Sequence, residues 1–220
     1  MATLLEADGM TGQAAAFYLP VGSNGKAGDL RLVRLTVSYA GVFDPPPSGW
    51  TAIHDEVVSG SGRVGMWARW LQGGDADGVL YLNGTSYFDR QVITVRGADP
   101  AADLAPATAG SSSASTSLVA PSVPTGVGTL LTFHTVTRSS GANTTTFTTP
   151  AGMTRQAVAS SARSADYVAL LCSEARISGA SGTRTAIASG SGTWRATSLF
   201  VPDAPAPPAG PEPGRALLAT

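Results

Sequence analysis

An all-β fold is predicted for this chain of 220 residues: two tandem, related antiparallel β-sandwich domains, jelly-roll-like, with extended terminal arms. Three observations predict it. The 26 glycines and 15 prolines break the sequence into short runs rich in Val, Leu, Thr and aromatics, the pattern of strands and frequent turns. Residues 30–39 (LRLVRLTVSY) are a strong strand, with Leu30 and Leu32 on one face and Val33, Leu35, Val37 and Tyr39 on the other. The third observation is a repeat. Gly28-Asp29-Leu30 leads to the turn Pro47-Ser48-Gly49-Trp50-Thr51, and Gly128-Thr129-Leu130 leads to Pro150-Ala151-Gly152-Met153-Thr154. Each copy closes on a strand ending at an acid, Asp99 or Asp203, so the offset drifts from 100 residues (128 minus 28) to 104 (203 minus 99). A period of this size is that of a domain, not of a solenoid repeat.

The elements follow in order. Residues 1–13 read as an N-terminal arm and 14–20 as an entry strand. After strand 30–39, Pro45, Pro46 and Pro47 stop regular pairing and force a turn. Residues 50–58 form a strand, Ser59–Gly65 a hairpin loop and 66–71 (MWARWL) an aromatic strand. A loop at 73–78 precedes strands at 79–82 and 88–96, which complete the first sandwich at residues 14–99. Residues 100–113 are the linker. The second sandwich covers 114–203, with strands at 114–119, 130–137, 143–149, 153–159, 166–173, 183–188 and 193–201. Residues 204–220 form a Pro-rich C-terminal tail ending in an apolar tip, in which Leu217 and Leu218 are candidate assembly contacts.

Composition narrows the function. Charged residues are 13% of the chain, about half the usual share of roughly 25%, which suits a surface that meets protein. The net charge of −1 gives no reason to expect nucleic acid as a partner. Residues 1–104 carry 7 basic and 11 acidic side chains and residues 105–220 carry 7 and 4, an asymmetry that head-to-tail contact could use. No apolar run approaches the ~18 residues of a membrane span, so no membrane insertion is expected, and the N-terminus does not read as a secretory signal. Cys172 is the single cysteine and reads as a buried strand thiol.

Motifs with chemical potential are few. Gly60-Ser61-Gly62-Arg63-Val64-Gly65 matches G-x-G-x-x-G, but the dinucleotide fingerprint needs a helix after it, and MWARWL reads as a strand. Asp75-Ala76-Asp77-Gly78 opens like a calcium loop, yet Val79 and Ser86 stand where further oxygen ligands belong. His54 and Glu56 share a strand face and Asp55 points away, with no nucleophile elbow in the chain. No cofactor, metal or catalytic residue is therefore expected. Trp50 matches Met153, which indicates a core position. Trp67 and Trp70 lie three apart in one strand and point to opposite faces. One suits the core, and the pair are the candidate partner or sugar contacts.

The sequence of features carries a resemblance. Gly28, Asp29, Leu30, Pro47, Gly49, Trp50 and Thr51, echoed by Gly128, Leu130, Pro150, Gly152 and Thr154, resemble a β-sandwich module of structural proteins in tailed bacteriophages, especially those of actinobacteria. Thr129 stands in place of the acid and Met153 in place of the tryptophan. The resemblance implies a non-enzymatic virion protein assembled in the host cytoplasm, a minor tail protein at or near the tail tip first and a capsid decoration protein second. It implies other virion proteins and further copies of the chain as partners. A carbohydrate-binding module for host-surface glycans is the rival from another class, and a hydrolase is the least favoured reading.

Overall fold

The computed structural model describes residues 2–20, 25–38, 41–58, 62–138, 145–160, 166–176 and 178–206. It is all-β, with β1 (Thr3–Leu19), β2 (Leu30–Val37), β3 (Thr51–Val58), β4 (Gly62–Trp70), β5 (Gly78–Arg96), β6 (Ala107–Ala120), β7 (Pro124–Thr125), β8 (Gly128–Arg138), β9 (Phe147–Thr148), β10 (Thr154–Ser160), β11 (Asp166–Arg176), β12 (Gly179–Ala180) and β13 (Arg184–Pro202). The first half supplies a sheet in the order β1-β5-β2-β4-β3. The second supplies one in the order β10-β11-β8-β13-β6, with β9 beside β13, and β7 pairs with β12. All of these pairings are antiparallel.

Several boundaries differ from the sequence pattern. Residues 3–13, expected as an arm, belong to β1 and pair with β5 from Thr3↔Arg96 to Gln13↔Tyr87. Glu6 and Asp8 give this stretch a solvated look, but Glu6 accepts a 2.7 Å hydrogen bond from buried Arg31. Likewise β6 begins at Ala107, inside the expected linker. The pairs of short strands expected at 79–82 with 88–96 and at 183–188 with 193–201 are each one long strand of 19 residues. Both run through a register shift that the Gly-, Asn- and Ser-rich stretches disguise as loops. Tyr39, the expected end of the strong strand, lies outside the described residues.

The turn singled out in each half folds alike. Trp50 N–H donates to Pro47 C=O at 3.1 Å, and Met153 N–H to Pro150 C=O at 3.2 Å. Gly49 and Gly152 take φ of 82° and 79°, the left-handed position that a type II turn reserves for glycine. The following strands each carry a bulge at the same place, between Ala52 and His54 and between Arg155 and Ala157.

The ladders correspond further. Ala14↔Ser86 jumps to Ala16↔Tyr81, and Ser115↔Gly192 is reached from Ser117↔Ile187, so two residues on one strand span five on its partner in both halves. Phe43 bridges Leu82, and Phe147 pairs with Ala188. These anchors place Ile93 opposite Leu32 and Leu199 opposite Leu131. The main strands therefore correspond at an offset of 99 (131 minus 32), not the 100 suggested by Gly28 and Gly128. The single-residue difference matters because it reverses which face each side chain takes.

Three apolar layers result. The one between the sheets joins Leu30, Leu32, Met66, Ile93 and Val95 to Leu131, Phe133, Leu171, Leu199 and Val201. A second lies on the other side of the first sheet, where Val33, Leu35 and Val37 meet Phe17, Phe43, Trp50, Trp67, Leu80 and Phe88. The matching side of the second sheet holds Leu118, Val136, Val168 and Ala188, and Leu170, Cys172 and Ala186 with Met153 against them. The two apolar faces of strand 30–37 thus have separate destinations within the chain itself. The ends of the halves also meet. Ala98 bridges Asp203, and Asp99 N–H donates to Pro202 C=O at 2.9 Å.

Candidate functional site

Among the described residues, four places gather the side chains that bear on function. The first is a polar cluster buried inside the inter-sheet layer. Arg34 and Asp89 are both fully buried and lie 3.4 Å apart. One guanidinium nitrogen of Arg34 donates to Thr135 Oγ1 at 3.0 Å and to Gln91 Oε1 at 3.2 Å, and Thr135 donates to Asp89 at 3.0 Å. The guanidinium also lies 5.5 Å from the Phe133 ring centroid. Burial pulls the Arg34 pKa down to about 10, against the pull of Asp89. The same burial pushes the Asp89 carboxyl up, opposed by Arg34 and Thr135. Buried on both sides, this cluster positions one sheet on the other and does not meet a substrate.

The second place holds His54-Asp55-Glu56. His54 Nε2 is 3.3 Å from Glu56 and 3.0 Å from Thr108 Oγ1 in β6, and Thr108 in turn contacts Thr197. Asp55 pairs with Arg63 on the neighbouring strand. The trio is split as its alternation requires, and its histidine joins an edge of one sheet to the other. Burial lowers the His54 pKa, with Glu56 opposing. His134, on β8, is fully buried, and burial takes its pKa down to about 3. Cys172 is buried as expected, its pKa raised to about 12 by burial. Among the described residues no group of three or more His, Cys, Asp or Glu is placed to hold a metal ion. Asp75 turns instead to Arg69 and to the Gln72 N–H.

The third place is the aromatic strand β4. Met66–Trp70 of the expected aromatic strand lie in β4, which begins at Gly62, inside the expected hairpin loop, and ends before Leu71. Val58↔Gly62 is the end of its ladder with β3. Trp67 is 1% exposed and stands edge-on to Phe43, with centroids 4.9 Å apart at 89°. Its indole folds back over Gly65, where a Cβ would fall within 2.9 Å of three ring atoms. Its ring faces therefore meet protein, not solvent. Trp70 points the other way, as the spacing predicts. It packs half-buried against the inter-sheet layer and lines a hollow of about 320 Å³ with Gly49, Thr51, Ile53, Arg69, Asp103 and Leu104. The linker supplies one wall of this hollow through Ala102, Asp103 and Leu104. No feature of the sequence signals that the linker folds back in this way. Leu217 and Leu218 lie outside the described residues.

The fourth place is on the β1–β5 pair. Tyr18 and Tyr81 are 62% and 54% exposed, and Met10 is 48% exposed. Met10 and Tyr18 border a hollow of about 230 Å³ floored by Phe17 and Phe88 and flanked by Arg90. Exposed Ile187 in the second half occupies the ladder position that Tyr81 occupies in the first. Comparison with family models, with curated proteins and with solved structures gives no match to this chain.

Proposed function

We propose that the chain is a non-enzymatic structural protein of a tailed-phage virion, built from two related halves. A minor tail protein at or near the tail tip is the first assignment, and a capsid decoration protein is the nearest alternative. The observation that carries the reading is the correspondence of the two ladders. The same strand order, turn, bulge and register shift recur in both halves, as expected of an internal duplication. The resemblance of the Gly-Asp-Leu and Pro-x-Gly-Trp-Thr segments to phage structural modules supports the same assignment.

The charged groups support it as well. Asp29, of the Gly-Asp-Leu segment, receives Arg96 at 3.0 and 2.8 Å and the Lys26 N–H at 2.8 Å. Burial opposes its charge, but Arg96 and the N–H prevail and hold the carboxyl below its usual range. Glu174 is gripped by Arg184 and Arg176 in the second half. These acids fasten strand ends and are not presented to a reactant. Exposed Tyr81 and Ile187, at like positions of the two halves, are suitable contacts for neighbouring subunits.

Gold-labelled antibody against the chain, applied to intact particles, tests the proposal. Label at the tail tip supports the first assignment, and label over the head replaces it with the second. Particles free of the protein, with the chain confined to the soluble lysate, overturn both.

A further inference from the structure

We infer that the hollow beside Trp70 binds a neutral saccharide. The inference does not depend on the virion assignment, since a glycan site suits a tail protein and a free binding module equally. The hollow measures about 320 Å³, at the lower end of ligand pockets, roughly 300–1,000 Å³, and suits one or two sugar rings. Its walls are mixed. Trp70 and Ile53 offer apolar surface, and Thr51, Arg69 and Asp103 offer polar groups. Asp103 is exposed at the rim.

The charges choose among ligand classes. Arg69 is already paired with Asp75 and also donates to Ala76 C=O at 3.4 Å. Among the described residues the hollow's lining therefore offers no uncommitted cation to a phosphate or a carboxylate, and Asp103 repels either one. A lipid chain would desolvate Thr51 and Asp103 without giving them a hydrogen-bond partner, at a cost for each. A sugar ring meets both demands. Its C–H face packs on an indole, and its hydroxyls reach the Asp103 carboxylate and the Thr51 hydroxyl. Trp67, buried on the opposite face of the same strand, takes no part.

The test uses the full chain and a panel of neutral disaccharides (cellobiose, chitobiose, galactobiose and an arabinose disaccharide), with inorganic phosphate and a galacturonate disaccharide as anionic probes. Binding is read by calorimetry and by the indole N–H resonance of Trp70. At least one neutral disaccharide should bind with Kd of about 10 mM or tighter. Trp70→Ala and Asp103→Asn should each weaken it about tenfold. Trp70 also packs on the inter-sheet layer, so Trp70→Phe is included to keep that packing, and Asp103→Asn alters an exposed group only. Silence toward every neutral probe overturns the inference. So does binding that survives both Trp70→Phe and Asp103→Asn unchanged, or binding of the anionic probes in preference.

Discussion

Gly65→Ala should destabilise the chain through Trp67. The added methyl would come within 2.9 Å of three indole atoms, in a layer where Trp67 is 1% exposed and locked edge-on against Phe43. Two responses are open to the protein. Overpacking costs typically about 1–3 kcal/mol. Rotating the indole away forfeits the ring pair, about 0.5–1.5 kcal/mol, together with part of the buried area. Either route gives a loss of about 1–3 kcal/mol, and a melting point lower by about 2–12 °C at this chain length. The assay is urea unfolding followed by far-ultraviolet circular dichroism, run in a double-mutant cycle with Trp67→Leu. With the indole replaced by the smaller leucine side chain, the methyl has room, and Ala is favoured over Gly in a strand interior by about 0.5 kcal/mol. The sign of the Gly65→Ala effect should therefore reverse in the Trp67→Leu background. An equal loss in both backgrounds would refute the packing argument, and so would no loss in the wild type.

Three further outcomes are expected. Asp89→Ala leaves the buried Arg34 uncompensated and should cost about 3–5 kcal/mol, whereas Arg34→Met with Asp89→Leu should be near neutral, as measured by the same unfolding assay. Stability should fall as pH drops below 6.5, because unfolded His134 takes up a proton that the folded site, with its pKa at about 3, refuses. The slope from this group is about 1.4 kcal/mol per pH unit, and His134→Asn should flatten it between 6.5 and about 5 in thermal melts across pH. His54 adds to the slope with the same sign. Asp29 and Glu174, held low, add their loss only through the carboxylate range, where Asp89, pushed up, opposes them. Finally, Asp29→Ala should lower stability more than Asp103→Ala, since Asp29 is buried with three donors and Asp103 is an exposed rim group.

Much of the fold is legible in the sequence because its signals are local. The Pro-x-Gly turn needs a left-handed glycine, and the sequence places Gly49 and Gly152 there. Alternation correctly sends Trp67 and Trp70 to opposite faces and splits His54 from Asp55. What alternation cannot say is which faces are covered. Arg34 shares the face of Leu30 and Leu32, yet nothing local says that a second sheet covers that face and buries Arg34 with Asp89. The offset between the main strands differs from its expected value by one residue. A shared Gly-x-Leu spelling outweighs the face periodicity, which sets Leu32 against Leu131. The segment 3–13 reads as an arm because Glu6 and Asp8 mimic a solvated terminus. The Trp70 hollow is half legible. The tryptophan stands out, but its facing wall, Ala102 to Leu104, comes from a stretch whose sequence says only that it connects.

The claim on which the rest depends is that the two halves act as one unit across the shared layer of Leu30, Leu32, Ile93, Leu131, Phe133 and Leu199. Amide hydrogen exchange of the full chain, read by mass spectrometry with and without Asp89→Ala, tests it most directly. Strands β2 and β8 should show matching protection in the wild type, and the substitution in β5 should lower both together. Protection lost from β2 alone, with β8 as slow as before, would contradict a shared layer and leave two independent halves.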